Sequence, residues 1–177
     1  MAQREWTRKD GPHFFTSLDQ KEVSAMVPKK ILFCTDFSEN SRPAWELAID
    51  YTKAFGAQLL VLHVIDFLGY FDWPEKLLEI LKETGDACNE RLQLMAQEAQ
   101  LAEDVKIYCR TGIAPIEIVE LAQEESVDLI VVGTHGRTGV KHLVMGSVAR
   151  SVLKTAHRPM LIVEAPAEKG ESFERSK

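Results

Sequence analysis

Val127-Asp128-Leu129-Ile130-Val131-Val132-Gly133-Thr134-His135-Gly136 is a short, continuous, β-branched run that stops at a glycine and turns polar. A strand that alternates apolar and polar residues buries one face, whereas a continuous run such as 127–133 needs cover on both, the setting of a central strand in a parallel sheet. Runs of the same kind recur at 31–35 (ILFCT), 58–65 (QLLVLHVI), 105–110 (VKIYCR) and 159–164 (PMLIVE). Five buried strands are therefore expected.

The segments between those runs read as helices. Ala44, Leu47, Ala48 and Tyr51 recur on one helical face, and Gly56 follows as a stop. Pro43 has no N–H and sits most easily in a first turn, which places the cap at Asn40 or Ser41 rather than Ser38. A longer pattern runs from about 74 to 100, with Leu77, Leu78, Leu81, Cys88, Leu92, Met95 and Ala99 on its buried side and Gly85 as a point of interruption. A third helix opens at Pro115 and turns Ile116, Val119 and Ala122 inward, and the last, from about 146 to 156, carries Val148 and Val152 four apart. Strands and helices in strict alternation give an α/β fold with an open, doubly wound, five-stranded parallel sheet, Rossmann-like in architecture.

Composition agrees with one domain of ordinary size. At 177 residues, 45% hydrophobic and 27% charged, the chain is long enough for a substantial core and unlike collagen-like, disordered or disulfide-scaffold classes. The net charge is −6, and the body between 31 and 164 carries 12 basic against 20 acidic side chains, so binding to nucleic acid through bulk positive charge is disfavoured. Three cysteines, Cys34, Cys88 and Cys109, form an odd set without a C-x-x-C pair, which reads as free thiols acting as small buried side chains in a reducing compartment. No apolar stretch approaches the roughly 20 residues of a membrane span, and the first residues lack the apolar core of a signal segment, so a cytoplasmic protein with no membrane partner is expected. Residues 1–28 read as a partly ordered N-terminal arm, 29–166 as the domain, and 167–177 as a polar C-terminal tail.

In open α/β sheets ligands lie beyond the carboxyl ends of the strands, which directs attention to Thr35-Asp36-Phe37-Ser38, Val64-Ile65-Asp66 and Gly133-Thr134-His135-Gly136. Gly133 and Gly136 allow backbone to approach a ligand. After nine intervening residues, Gly146 and Ser147 open a helix, whose free N–H groups and positive dipole end suit phosphate, and Arg137 and Lys141 lie in the connection. Neither a G-x-x-x-x-G-K-[ST] loop nor a G-x-G-x-x-G turn after a strand occurs.

On these residues the body from about 29 to 166 resembles the universal stress protein (UspA-like) family, and within it the ATP-binding branch. The resemblance is carried by Lys30-Ile31-Leu32 leading to Thr35-Asp36-Phe37-Ser38, by Leu62-His63-Val64-Ile65-Asp66, by Gly112 with Pro115, by the glycine pattern from Val131 to Ala149, and by Arg158-Pro159-Met160-Leu161-Ile162-Val163. It implies a sheet in the order 3-2-1-4-5, a homodimer through the last strand (Met160 to Val163), and one ATP per subunit with Mg2+ or Mn2+ bound through the phosphates. By the same resemblance Asp36 and the backbone at Val64 hold adenosine with Thr35 nearby, Gly133 approaches the ribose, and Gly136, Arg137, Gly146, Ser147 and Val148 take the phosphates. Thr134 and His135 belong to the same loop and complete the candidate set. Cys34 departs from relatives that carry proline there.

The resulting expectation is an ATP-binding, dimeric stress-response module with at most slow hydrolysis. His63 reads as a hydrogen-bonded core histidine, and His63, His135, His142 and His157 show no metal-ligand spacing. No residue pair is spaced as an evident catalytic base, which sets a slow ATPase as the alternative, beside a dimeric interaction module that binds no nucleotide. A phospho-receiver would need clustered acids after the first strand, where Asp36 stands alone.

Overall fold

The structure, a computed structural model, describes residues 27–66, 74–101, 105–134 and 145–165, with the backbone alone at 66 and 74–81. Most of the expected arm and tail therefore lies outside the described residues. Five strands, β1 (Lys30–Thr35), β2 (Gln58–Asp66), β3 (Val105–Gly112), β4 (Leu129–Gly133) and β5 (Met160–Val163), alternate with four helices, α1 (Arg42–Phe55), α2 (Pro74–Glu98), α3 (Ala114–Glu124) and α4 (Ser147–Thr155). All pairings are parallel and the sheet order is β3-β2-β1-β4-β5, the order the family resemblance implied.

Side-chain parity divides the core into two layers. Odd-numbered Ile31, Phe33, Leu59 and Val61 face α1 and α2, where Ala44, Ala48, Cys88 and Leu92 are buried. Even-numbered Leu32, Cys34, Leu60 and Leu62 face α3 and α4, packing against Ile118, Leu121, Ala149 and Val152. Because both faces are covered, the strands need no polar residues at alternate positions.

The helix boundaries follow local chemistry. Ser41 is the N-cap of α1 with Pro43 in the first turn, and Gly56 ends the helix at φ 62°, its N–H bonded to the Thr52 carbonyl. Helix α2 runs through Gly85 without a break; the cost of a mid-helix glycine, about 1 kcal/mol, is small against the packing of Cys88 and Leu92. Leu77, Leu78 and Leu81 lie where side chains are outside the described residues. On α3 the expected inward face is corrected: Ile118, Leu121 and Ala122 are buried, and Ile116 is 49% exposed. At 100° per residue Ile116 stands about 160° from the center of that stripe, so it points away from the sheet.

The cysteine reading is corrected as well. Only Cys34 is a free, buried thiol, whereas Cys88 on α2 and Cys109 on β3 form a disulfide with Cα atoms 6.3 Å apart. Two residues 21 apart in sequence meet because the buried stripe of α2 lies over the odd-numbered face of β3, where Ile107 and Cys109 share the layer with Cys88.

Candidate functional site

The chain steps outward from β1 to β2 and β3, then returns to place β4 on the other side of β1, so the strand order reverses between β1 and β4. Such a switch point leaves a crevice beyond the carboxyl ends of the two strands. Cys34 pairs with Val132, and Thr35 and Asp36 therefore leave the sheet beside Gly133 and Thr134. Val64 lies next to them, one residue past the Thr35–His63 pair of β1 and β2.

The turn after β1 is built from its own short polar side chains. Buried Thr35 Oγ1 accepts the Phe37 N–H at 2.9 Å and lies 3.1 Å from Ser41 Oγ. The single Ser41 hydroxyl hydrogen goes to the Ser38 carbonyl at 2.7 Å, so Thr35 is the donor in the pair with Ser41. Asp36 Oδ1 accepts the Ser38 N–H at 3.0 Å and the Ser38 hydroxyl at 2.6 Å. The carboxylate thus shapes the turn that carries it, an Asx arrangement.

Phe37 holds a left-handed backbone, φ 62°, unusual for a bulky residue and a mark of a turn fixed by its surroundings. Its ring stacks on His63, 4.2 Å between centroids, and the Arg91 guanidinium lies 4.4 Å above it. His63 is a core histidine as expected, buried, with Nδ1 2.8 Å from the Thr35 carbonyl oxygen. Sequence reasoning gave Phe37 and Arg91 no part in this site; the aromatic at the center of a polar T-D-F-S turn was the available signal.

The second wall comes from the β4 end and the start of α4. Thr134 N–H bonds the Val163 carbonyl at 2.8 Å, and the Thr134 carbonyl accepts the Gly146 N–H at 2.7 Å. This pins the two ends of the connection between β4 and α4 together. A Cβ at Gly146 would lie 2.8 Å from the Thr134 oxygen, so only glycine fits without a shift. Ser147, exposed, and Val148, half-buried, begin α4, and Arg150 braces its start through the Met145 carbonyl at 2.8 Å. The first N–H groups of such a helix point outward, a ready anion site. The structure therefore brings together Thr35, Asp36, Val64, Gly133, Thr134, Gly146, Ser147 and Val148. His135, Gly136 and Arg137, with Lys141 and His142, lie outside the described residues.

Burial pushes the Cys34 thiol up. At the opposite end of the sheet, burial and then the hydrogen bond to Glu125 push Tyr108 up to about 12. Hydrogen bonds from Tyr108 and Lys106 bring Glu125 down to about 2. On the rim, bonding to Glu124 raises Arg110. Among the described residues no group of three His, Cys, Asp or Glu side chains is placed to hold a metal ion, and no helix is long and apolar enough to cross a membrane.

Comparison with known proteins adds the ancestry of this arrangement. The universal stress protein family profile matches residues 28–164. Universal stress protein MJ0531 of Methanocaldococcus jannaschii is 38% identical over 145 residues, covering 78% of this chain and 83% of its own. The solved structure of MJ0577, from the same organism, superposes with a TM-score of 0.74 at 30% identity, covering 80% of this chain and 99% of its own. A universal stress protein solved in complex with cAMP superposes with a TM-score of 0.53 at 26% identity over 78% of this chain and 98% of its own.

Proposed function

Because the chain belongs to the universal stress protein family, we propose that it binds ATP in the crevice between β1 and β4 and works in the cytoplasm as a dimeric, nucleotide-dependent stress-response module with at most slow hydrolysis. The observation that carries this reading is the closure of Thr134 onto Gly146, which holds the start of α4 at the carboxyl end of β4 and leaves no room for a Cβ at Gly146. The relative solved with cAMP supports an adenine nucleotide as the ligand class.

In this reading Asp36, Thr35 and the backbone at Val64 take the adenosine end, and Gly133 with Thr134 borders the ribose. Gly136, Arg137, Gly146, Ser147 and Val148 take the phosphates, with His135 in the same loop. Glycine and helix N–H groups suit that task because they present donors without side-chain bulk. Magnesium or manganese, held by the phosphates, supplies neutralization of their charge. The protein contributes the N–H donors and the position. Strand β5 is a sheet edge with four half-buried apolar residues, and pairing with a second copy satisfies its open N–H and C=O groups.

The test is nucleotide content after acid extraction of purified protein, followed by titration of the emptied protein with ATP and magnesium. About one ATP per chain, or saturable binding, is expected. Absence of both would overturn the reading and leave a dimeric interaction module. Sedimentation of wild type against a β5 variant such as Ile162→Lys checks the dimer.

A further inference from the structure

The Cys88–Cys109 disulfide closes a ring of contacts that runs through Phe37 in the turn after β1. Cys109 on β3 is paired across the sheet with His63 on β2. His63 stacks on Phe37, and Phe37 lies beneath Arg91 of α2, whose guanidinium also donates to the Phe37 carbonyl at 3.4 Å. Arg91 follows Cys88 by three residues, one helical turn, and so shares its side of α2. The disulfide returns the path to Cys109. Phe37, in its left-handed conformation, immediately follows Asp36.

We propose that Cys88 and Cys109 form a reversible thiol–disulfide switch, in which the disulfide holds α2 and its Arg91 clamp against Phe37 and thereby sets the order of the Asp36 turn. Without the cross-link α2 is held to β3 by non-covalent packing alone, and the Arg91 clamp on Phe37 loosens. The consequence for nucleotide affinity rests on the ATP-binding reading above; the ordering of the turn does not.

The chemistry needs a low-molecular-weight disulfide as oxidant. Cys109 is half-buried on the outermost strand and Cys88 is 5% exposed, which makes Cys109 the point of entry. Its thiolate attacks one sulfur of the small disulfide and expels a thiolate with the bonding pair. The Cys88 thiolate then attacks the Cys109 sulfur and expels the second. Two protein thiols lose two electrons, the small disulfide gains them, and the two thiol protons end on the released small thiols. Reduction by a small dithiol runs the same exchange backward.

The experiment treats the full chain with oxidized glutathione or with dithiothreitol, counts thiols by alkylation under denaturing conditions, and follows amide hydrogen exchange at 36–41 together with ATP titration. One alkylated thiol in the oxidized protein and three in the reduced protein are expected. Exchange at 36–41 should quicken about fivefold on reduction, and ATP binding weaken by a similar factor. Cys109→Ala should abolish both differences, and Arg91→Ala, at an exposed position, should give the fast exchange with the disulfide intact. Three alkylated thiols after oxidation, or equal exchange in the two redox states, would overturn the switch. A redox difference in exchange with no ATP binding in either state would uphold the switch and overturn the nucleotide reading instead. Equal ATP affinity with unequal exchange would overturn the coupling to the ligand alone.

Discussion

The two ends of the sheet use similar residue types for different purposes. At the amino ends of the strands, Asp128 Oδ2 accepts the backbone N–H groups of Lys29 and Lys30, both at 2.9 Å. Glu125 meets Tyr108 at 2.5 Å and the Lys106 ammonium at 3.0 Å, and Lys30 bonds the Glu125 carbonyl at 2.6 Å. Charges there are closed on one another and tie β1, β3 and the turn after α3 together. At the carboxyl ends, Asp36 is met by the N–H and hydroxyl of Ser38, Phe37 holds a left-handed backbone, and Gly146 is packed against a carbonyl. Uncommon backbone conformation and close backbone packing suit a ligand crevice, whereas mutual neutralization of charges suits a closed end.

The strongest way to break this contrast is Gly146→Val. The new side chain forces the Thr134 carbonyl and the start of α4 apart, and ATP affinity should fall by about two orders of magnitude, ~2.7 kcal/mol, with helical content retained by circular dichroism. Unchanged affinity at normal content would remove the α4 start from the site. Asp36→Ala comes next: it takes away the acceptor of two Ser38 donors and should cost about 1–2 kcal/mol of binding, weakening adenosine more than inorganic triphosphate in calorimetric titration. Equal losses would reassign Asp36 to turn geometry alone.

At the other end, Asp128→Ala should lower unfolding stability by about 1 kcal/mol in denaturant titration, since it leaves the Lys29 and Lys30 N–H groups without their acceptor, and should not move ATP affinity. A shift in affinity would erase the division between the ends. The smallest effect concerns acid. Glu125 titrates near 2 in the folded chain against an ordinary value near 4.5, so the unfolded chain binds more protons between those values. The stabilization it gives is complete above about 4.5 and is lost as pH falls toward 2. Tyr108 has the opposite sense, its contribution present below its ordinary value and lost as pH rises toward 12. Glu125→Gln should flatten the acid limb of thermal stability against pH, leaving ATP binding at neutral pH unchanged.

Much of the fold was legible along the chain because continuous β-branched runs need two covered faces, and Pro43 and Gly56 punctuate α1 wherever it packs. The inward face of α3 was misread at Ile116 because an i, i+3 count drifts by 60° at each step, and the sheet settles on the stripe containing Ile118 and Leu121. The signals for the candidate site in the sequence are a spacing of glycines and a T-D-F-S turn. The support of that site by Phe37, His63 and Arg91 was not legible there, because Arg91 arrives from a helix 54 residues away and no local pattern marks a side chain that reaches across the sheet.

By itself the sequence determined strand and helix alternation, the parallel class and the doubly wound sheet, since each depends on periodicity, backbone permissiveness or local hydrogen bonding. Tertiary structure alone decided that Cys88 meets Cys109, that Arg91 covers Phe37, and that Gly146 closes on Thr134. Those contacts join elements remote in the chain, and only the packing of α2 on β3 and of α4 on the β4 end brings their atoms within reach.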